Sequence, residues 1–205
     1  MRNQFIATVA VFALALAACG GGEPAPAAPA GSPAAAAPAS PATPNAPAPS
    51  PAANGTDLVG QLKSSKLSLL EGIQRTEKEN GPAISAKFEL EDGKLMLSVY
   101  TAQAGLDKDA EHNVLLELSG DAAAAQWQPK REVFEDREHI TRAATHLTIL
   151  RRAKTTLPAI IAKASSKQAG TVYSVTPVVH NKQPAFDVLV ASPEGKSVSL
   201  TIEPG

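Results

Sequence analysis

Two histidines and one glutamate in the second half of the chain have a spacing that suits a metal site. Glu135 lies four positions before His139, and His146 lies seven positions after it. The residues after Pro129 favour a helix over 130–150, where such spacings place side chains on one face. Imidazole and carboxylate groups are common zinc ligands. The same spacing also arises in a charged surface helix that binds nothing, and we favour this second interpretation, with no metal and no cofactor.

The motifs that identify common enzyme classes are missing from the sequence. The chain has no Gly-x-Ser-x-Gly elbow, no His-Glu-x-x-His pair and no glycine loop of the kind that binds phosphate. A Ser-His-Asp arrangement is assembled in space, so a hydrolase stays open as an alternative. We predict a protein that is not an enzyme and has no catalytic residues.

Cys19 is the only cysteine, and it follows a short apolar segment. Arg2 gives residues 1–18 the positive start of a signal peptide, and the apolar run is too short to span a bilayer comfortably. Leu16-Ala17-Ala18-Cys19 resembles the bacterial lipobox. This resemblance implies cleavage before Cys19 and attachment of lipid, including palmitate, to that cysteine. An ordinary secretory signal or a single-pass anchor is the alternative.

The location of the protein follows from this resemblance. Gly20 after the cysteine resembles the pattern that sorts lipoproteins to the outer membrane. We therefore expect a lipid-anchored protein of the cell envelope, held at the outer membrane and facing the periplasm. Residues 19–56 are rich in Ala and Pro, with Glu23 as the only charge before Asp57. Such a segment buries too little apolar surface to fold, which predicts a disordered tether.

The composition limits the classes of partner. The net charge is −1 and aromatic residues make up 4% of the chain. A chain without excess positive charge is a poor match for nucleic acid, and few aromatic rings are present for stacking on bases. We expect no nucleic-acid partner. The folded part must depend on its apolar core, because no cysteine remains for a disulfide.

Alternating apolar residues predict two groups of three strands. In the first group Asp92-Gly93 is a hairpin turn, because both residues tolerate positive φ. The second group repeats the order with a turn over 180–183. We place Phe88 and Phe186 in the core. The alternating positions are Ile84, Ala86, Phe88 and Leu90, then Leu95, Leu97 and Val99, then Val114, Leu116 and Leu118, and in the second group Tyr173, Val175, Pro177 and Val179, then Pro184, Phe186 and Val188, then Val198, Leu200 and Ile202.

A helix is predicted before each group of strands. Ser68 is a suitable cap for the first helix, and Thr156 for the second, which has Pro158 in its first turn. The sequence therefore predicts an α+β fold. Two repeated units, each a helix with a three-stranded antiparallel sheet, cover 57–120 and 156–205. A helical connector, 121–155, joins them.

The second unit resembles the PepSY family. The resemblance rests on Phe186, on Glu194-Gly195 as an acid-glycine turn, and on the ending Glu203-Pro204-Gly205. It covers the second unit and, more faintly, residues 67–120. It implies a helix packed on a three-stranded antiparallel sheet in an envelope-associated module. The family is named for restraint of peptidases, and no catalytic residues are attributed to it.

We therefore predict a non-catalytic, lipid-anchored envelope protein that binds an unidentified envelope protein, with a peptidase as the partner that the resemblance implies. The alternative is a periplasmic carrier that holds a small ligand or lipid between helix and sheet. Trp127 is expected to fill the core or a junction between the units. Arg151, Arg152 and Lys154 form a basic patch, either a solvated surface or a contact for anionic lipid. The oligomeric state stays open.

Overall fold

The first long helix begins where the sequence places its cap. Ser68 Oγ accepts a hydrogen bond from the backbone N–H of Glu71 over 3.2 Å, and Glu71 Oε2 accepts one from the backbone N–H of Ser68 over 2.7 Å. This reciprocal capping box satisfies two helix N–H groups that would otherwise lack partners. Thr156 caps a later helix in the predicted place.

The computed structural model describes residues 55–205, which belong to one compact unit. The predictions for Cys19 and the signal peptide lie outside the described residues, as does nearly all of the tether. In the described part of the chain, no helix has the length and apolar character needed to cross a membrane. The helices are α1 (Gly55–Gln61), α2 (Leu69–Asn80), α3 (Arg137–Ala153) and α4 (Leu157–Lys167). The strands are β1 (Ala83–Glu91), β2 (Lys94–Ala102), β3 (Leu115–Asp121), β4 (Lys130–Val133), β5 (Thr171–His180), β6 (Gln183–Ala191) and β7 (Ser197–Ile202).

All seven strands form one antiparallel sheet, in the order β4-β3-β2-β1-β5-β6-β7. The predicted α+β class is confirmed. The strands predicted as two groups meet at the centre, where β1 and β5 pair only at Ala86↔Val175 and Lys87↔Ser174. Asp92 and Gly93 form the first hairpin turn with φ of 49° and 75°. The second hairpin turns at Asn181 and Lys182, also with positive φ.

The connector differs from the prediction. The sequence predicts a helix from Pro129, but Lys130–Val133 form strand β4 on the edge of β3, and α3 begins only at Arg137. The backbone of 130–133 pairs with residues 116–119 of β3, and this pairing overrides the helical preference of the charged side chains. A further helix, α1, begins at Gly55 and was not predicted.

One face of the sheet carries the main core. Helix α2 contacts β1 and β2, α4 contacts β5 and β7, and the two helices contact each other. Phe88 and Phe186 are buried on this face, as predicted. The contact beneath α2 is so close that a Cβ atom on Gly72 would overlap the side chain of Leu97. The space between α2 and β2 is therefore filled by side chains at this point.

Helix α3 covers part of the opposite face. Tyr100 points away from the Leu97 and Val99 face because side chains alternate along a strand. Its ring lies 5.5 Å from that of Phe134, which in turn stacks on His139 of α3. Farther along α3, His146 contacts Ser85 of β1. The sheet is thus covered by helices on both faces near its centre.

Candidate functional site

The residues considered for a metal site do not come together. Glu135 precedes α3, because Asp136 is the N-cap and its carboxylate accepts a hydrogen bond from the backbone N–H of His139 over 3.0 Å. The expectation that Glu135 shares a helical face with His139 is wrong for this reason. Within residues 57–205, no three His, Cys, Asp or Glu side chains are grouped as metal ligands.

His139 has a role in starting α3. Its Nδ1 lies 2.6 Å from Asp136 Oδ2, and its ring stacks on Phe134 with centroids 5.2 Å apart. The hydrogen bond from the His139 backbone N–H is the main reason why the pKa of Asp136 is lowered. The His139 side chain therefore stabilises the start of α3 through its contacts with Asp136 and Phe134.

His146 is the histidine that most resembles a catalytic one. Its Nδ1 lies 3.2 Å from Ser85 Oγ. This separation is typical of a catalytic serine and the histidine that acts as its base. Burial, followed by the charge of Arg142, lowers the pKa of His146 to about 4. Ser85 has only 4% of its surface exposed, so a substrate does not reach its hydroxyl. The pair is consistent with a neutral imidazole packed against a strand.

The other two predicted features are a buried tryptophan and a group of cations at a helix end. Trp127 is buried in the connection between β3 and β4, and its Nε1 donates a hydrogen bond to Gly120 O over 3.2 Å. Of the two expected places, the core and a junction between the units, the structure shows the core. Arg151, Arg152 and Lys154 lie at the end of α3, where positive charge favours the helix dipole. Arg151 also donates a hydrogen bond to Asp107 O over 3.3 Å.

The two edges of the sheet differ in length and charge. Strand β4 has four residues, and three of them, Lys130, Arg131 and Glu132, are charged. Strand β7 has six residues, Ser197–Ile202, and none is charged. A short, charged edge strand resists pairing with another chain, whereas a longer uncharged one offers a row of backbone N–H and C=O groups. This difference in length and charge makes β7 the candidate site for binding.

Strand β7 is firmly held along its inner edge. It pairs with β6 from Phe186↔Ile202 to Ala191↔Ser197. Tyr173 Oη lies 2.7 Å from Ser197 Oγ, and Thr201 Oγ1 donates to Asp187 Oδ1 over 3.1 Å. In the part of the chain that the structure describes, no strand pairs with its outer edge. We call this outer edge of Ser197–Ile202 the free edge.

The side chains of the free edge follow a strict alternation. Val198, Leu200 and Ile202 are partly or fully buried toward the core, while Ser197, Ser199 and Thr201 are exposed on the other face. A strand added here would meet a stripe of aliphatic groups on one face and hydroxyl groups on the other. The sequence predicted this strand from its alternation, but its place at an edge depends on topology and was not predicted.

A surface depression of about 320 Å³ lies where the segment after α1 approaches the sheet. Its lining mixes apolar groups such as Leu62 and Phe88 with Ser65, Lys66 and Glu71. A carrier for a lipid or apolar ligand needs a pocket lined mainly by apolar groups. This mixed lining favours the free edge over the depression as the candidate site.

No protein-family model matches the chain, and no curated protein or solved structure matches it either. The resemblance to PepSY therefore stays a prediction.

Proposed function

We propose that this chain is a lipid-anchored, non-catalytic protein of the cell envelope that binds a protein partner by adding a strand to the free edge of β7. The observation that carries this proposal is the contrast between the two sheet edges. One is short and charged at Lys130, Arg131 and Glu132, and the other is longer and uncharged over Ser197–Ile202.

Strand addition explains how a surface without a deep pocket binds a protein. An extended segment hydrogen-bonds along the backbone of the edge strand, which supplies affinity, and alternate side-chain positions supply specificity. The pairing of β7 with β6 and its contacts to Asp187 and Tyr173 hold the template in place before binding. A preformed edge lowers the entropy cost of binding.

The local roles of the histidines support a non-catalytic protein. His139 contacts its own helix cap, His146 packs against a buried serine, and His112 Nδ1 lies 2.6 Å from Asp109 Oδ1 in the loop after β2. These contacts serve the stability of loops and helix ends. The partner class implied by the PepSY resemblance is a peptidase, which would be restrained and not assisted chemically.

A photo-crosslinking residue at Ser199 tests the site. It is placed in the full chain and expressed in the native host, with Glu132 on the β4 edge as the matched control position. Both residues are exposed and both lie on edge strands. We expect protein adducts after irradiation at Ser199 and none above background at Glu132. Absence of adducts at Ser199, or equal adducts at both positions, would contradict the proposal.

A further inference from the structure

The hairpins β1–β2 and β5–β6 have the same register at positions 89 residues apart. The first hairpin has a register shift between Ala83 and Ser85, and the second has one at the corresponding place, over 172–174. Where the two hairpins meet, Ala86 of β1 lies opposite Val175 of β5, which is its own counterpart 89 positions later. These registers place an approximate twofold axis at this central pair.

Strand β7 is the counterpart of β3 in this arrangement. Leu118 of β3 lies opposite Val99 of β2. Leu200 of β7 lies opposite Val188 of β6, which comes 89 positions after Val99. The four residues of β3 that pair with β4 therefore have their counterparts in the middle of β7, at 198–201. In the part of the chain that the structure describes, β7 has no outer neighbour that corresponds to β4.

The same aliphatic positions are closed in one half and open in the other. Leu116 and Leu118 of β3 are 0% and 5% exposed. Their counterparts on β7, Val198 and Leu200, stay partly exposed. Strand β3 has a neighbour on both sides and β7 has one, so the difference in burial follows the difference in pairing. The free edge therefore resembles a β3 edge from which β4 has been left out.

We infer that a segment of another protein takes at β7 the place that β4 takes at β3. This inference rests on the proposed function, and it specifies the strand that the free edge accepts. The segment runs antiparallel to β7, pairs with 198–201 and has aliphatic side chains at alternate positions. Strand β4 supplies the example, because its Val133 lies opposite Leu116, the counterpart of Val198.

The alternation of β7 determines the chemistry of the added segment. Directly opposite residues of an antiparallel pair point to the same face of the sheet. A residue opposite Val198 or Leu200 therefore covers their partly exposed aliphatic groups, and an aliphatic side chain there removes apolar surface from water. A residue opposite Ser199 points to the exposed hydroxyl face, where a polar side chain stays solvated. A uniformly polar segment would leave the aliphatic row exposed.

Photo-crosslinking residues at Ser197 and Thr201 test the direction of the added strand. They are placed one at a time in the full chain in the native host, at exposed positions on the same face. Mass spectrometry of the adducts locates the captured residue of the partner. Because the strands run antiparallel, we expect the residue captured from Ser197 to lie about four positions C-terminal to the one captured from Thr201. The opposite order, or capture of a second copy of this chain, would overturn the inference.

A Val198→Thr variant tests the aliphatic row with the Thr201 probe in place. Threonine keeps the branched shape of valine and replaces one methyl group by a hydroxyl, so we expect about fourfold fewer adducts. Val179→Thr, at a side chain of β5 that is 59% exposed, is the matched control and should leave the yield unchanged. An unchanged yield after Val198→Thr would overturn the inference. Adducts at Ser199 and none at Glu132 would leave the proposed function standing in that case.

Discussion

His146 shows how burial turns an ionisable side chain into a structural one. The imidazole is enclosed between α3 and Ser85 of β1, and its pKa falls to about 4 because burial disfavours the charged form. In the unfolded chain the pKa returns to its usual value near 6.5. The unfolded state therefore binds more protons between these two pH values, and the native state loses stability as pH falls.

The first prediction concerns this pH dependence. Between pH 7 and pH 5 the contribution of His146 should lower the free energy of unfolding by about 2 kcal/mol. A His146→Gln variant has no such group, so its unfolding free energy should change less over the same interval. Urea denaturation of both proteins at the two pH values measures the difference. Equal changes in both would show that His146 is solvated or charged in the native state.

Cys19 is the residue on which the proposed location depends, and it carries the second prediction. A Cys19→Ala variant cannot form the thioether to lipid, and the sequence has no other cysteine to replace it. We expect incorporation of labelled palmitate in the native host to be lost in this variant, and the protein to be released from the outer-membrane fraction. A Ser40→Ala variant, changed in the same Ala- and Pro-rich segment, is the matched control. Unchanged labelling after Cys19→Ala would contradict lipidation at this position.

At the scale of secondary structure, Gly72 sets the distance between α2 and the sheet. A helix normally gains stability when glycine is replaced by alanine, because alanine loses less backbone entropy. At Gly72 the added Cβ would overlap the side chain of Leu97, which is fully buried. The steric cost should exceed the gain in helix propensity.

The third prediction uses this contact. Gly72→Ala should lower the free energy of unfolding by about 1–3 kcal/mol, as overpacking of a core usually does. Gly60→Ala is the control, since Gly60 lies in α1 and a methyl group added there would have no atom within 4 Å. We expect Gly60→Ala to be neutral or slightly stabilising in the same urea experiment. A neutral Gly72→Ala would mean that α2 lies farther from β2.

The elements differ in how far the sequence could predict them. Strands β1, β2, β5 and β6 show apolar residues alternating along most of their length and have turn residues with positive φ between them, so their local pattern was sufficient. Strand β4 could not be predicted, because the local sequence Lys-Arg-Glu-Val favours a charged helix. It forms a strand only because its backbone pairs with β3 in the folded protein. The free edge of β7 was not predictable either, since an edge is defined by which strands lie beside it.

The short pairing between β1 and β5 explains why a proline is tolerated within β5. Pro177 lies in β5 opposite Phe186 of β6. Proline has no backbone N–H, so it cannot donate a hydrogen bond to the strand on the other side of β5. The pairing of β5 with β1 stops at Val175, so no ladder bond is lost at Pro177. Prolines within strands are usually confined to edges or bulges, and at Pro177 the β1 side of β5 has no paired strand.

At the scale of the whole molecule, the shared sheet predicts one cooperative unfolding transition. Residues of both halves of the described chain join one buried cluster, which includes Trp127 and Phe186. Phe186 is completely buried on β6, and its removal should cost about 3–5 kcal/mol. Because α2 contacts α4 and β1 pairs with β5, we expect loss of the Phe186 side chain to destabilise the first half of the described chain as well.

The fourth prediction tests that coupling. Phe186→Ala should shift the urea midpoint of Trp127 fluorescence, which reports on the β3–β4 connection, as much as it shifts the midpoint of far-UV circular dichroism. Val179→Ala, at a side chain that is 59% exposed, is the control and should shift neither. A fluorescence midpoint that stays at the wild-type value, while circular dichroism shows two steps, would indicate two independently unfolding halves.

The charged edge strand β4 limits the proposed addition of strands to one side of the sheet. Lys130, Arg131 and Glu132 oppose pairing at this margin. A sheet that accepted strands at both margins would allow copies to join end to end into fibres. The charges on β4 therefore act against polymerisation.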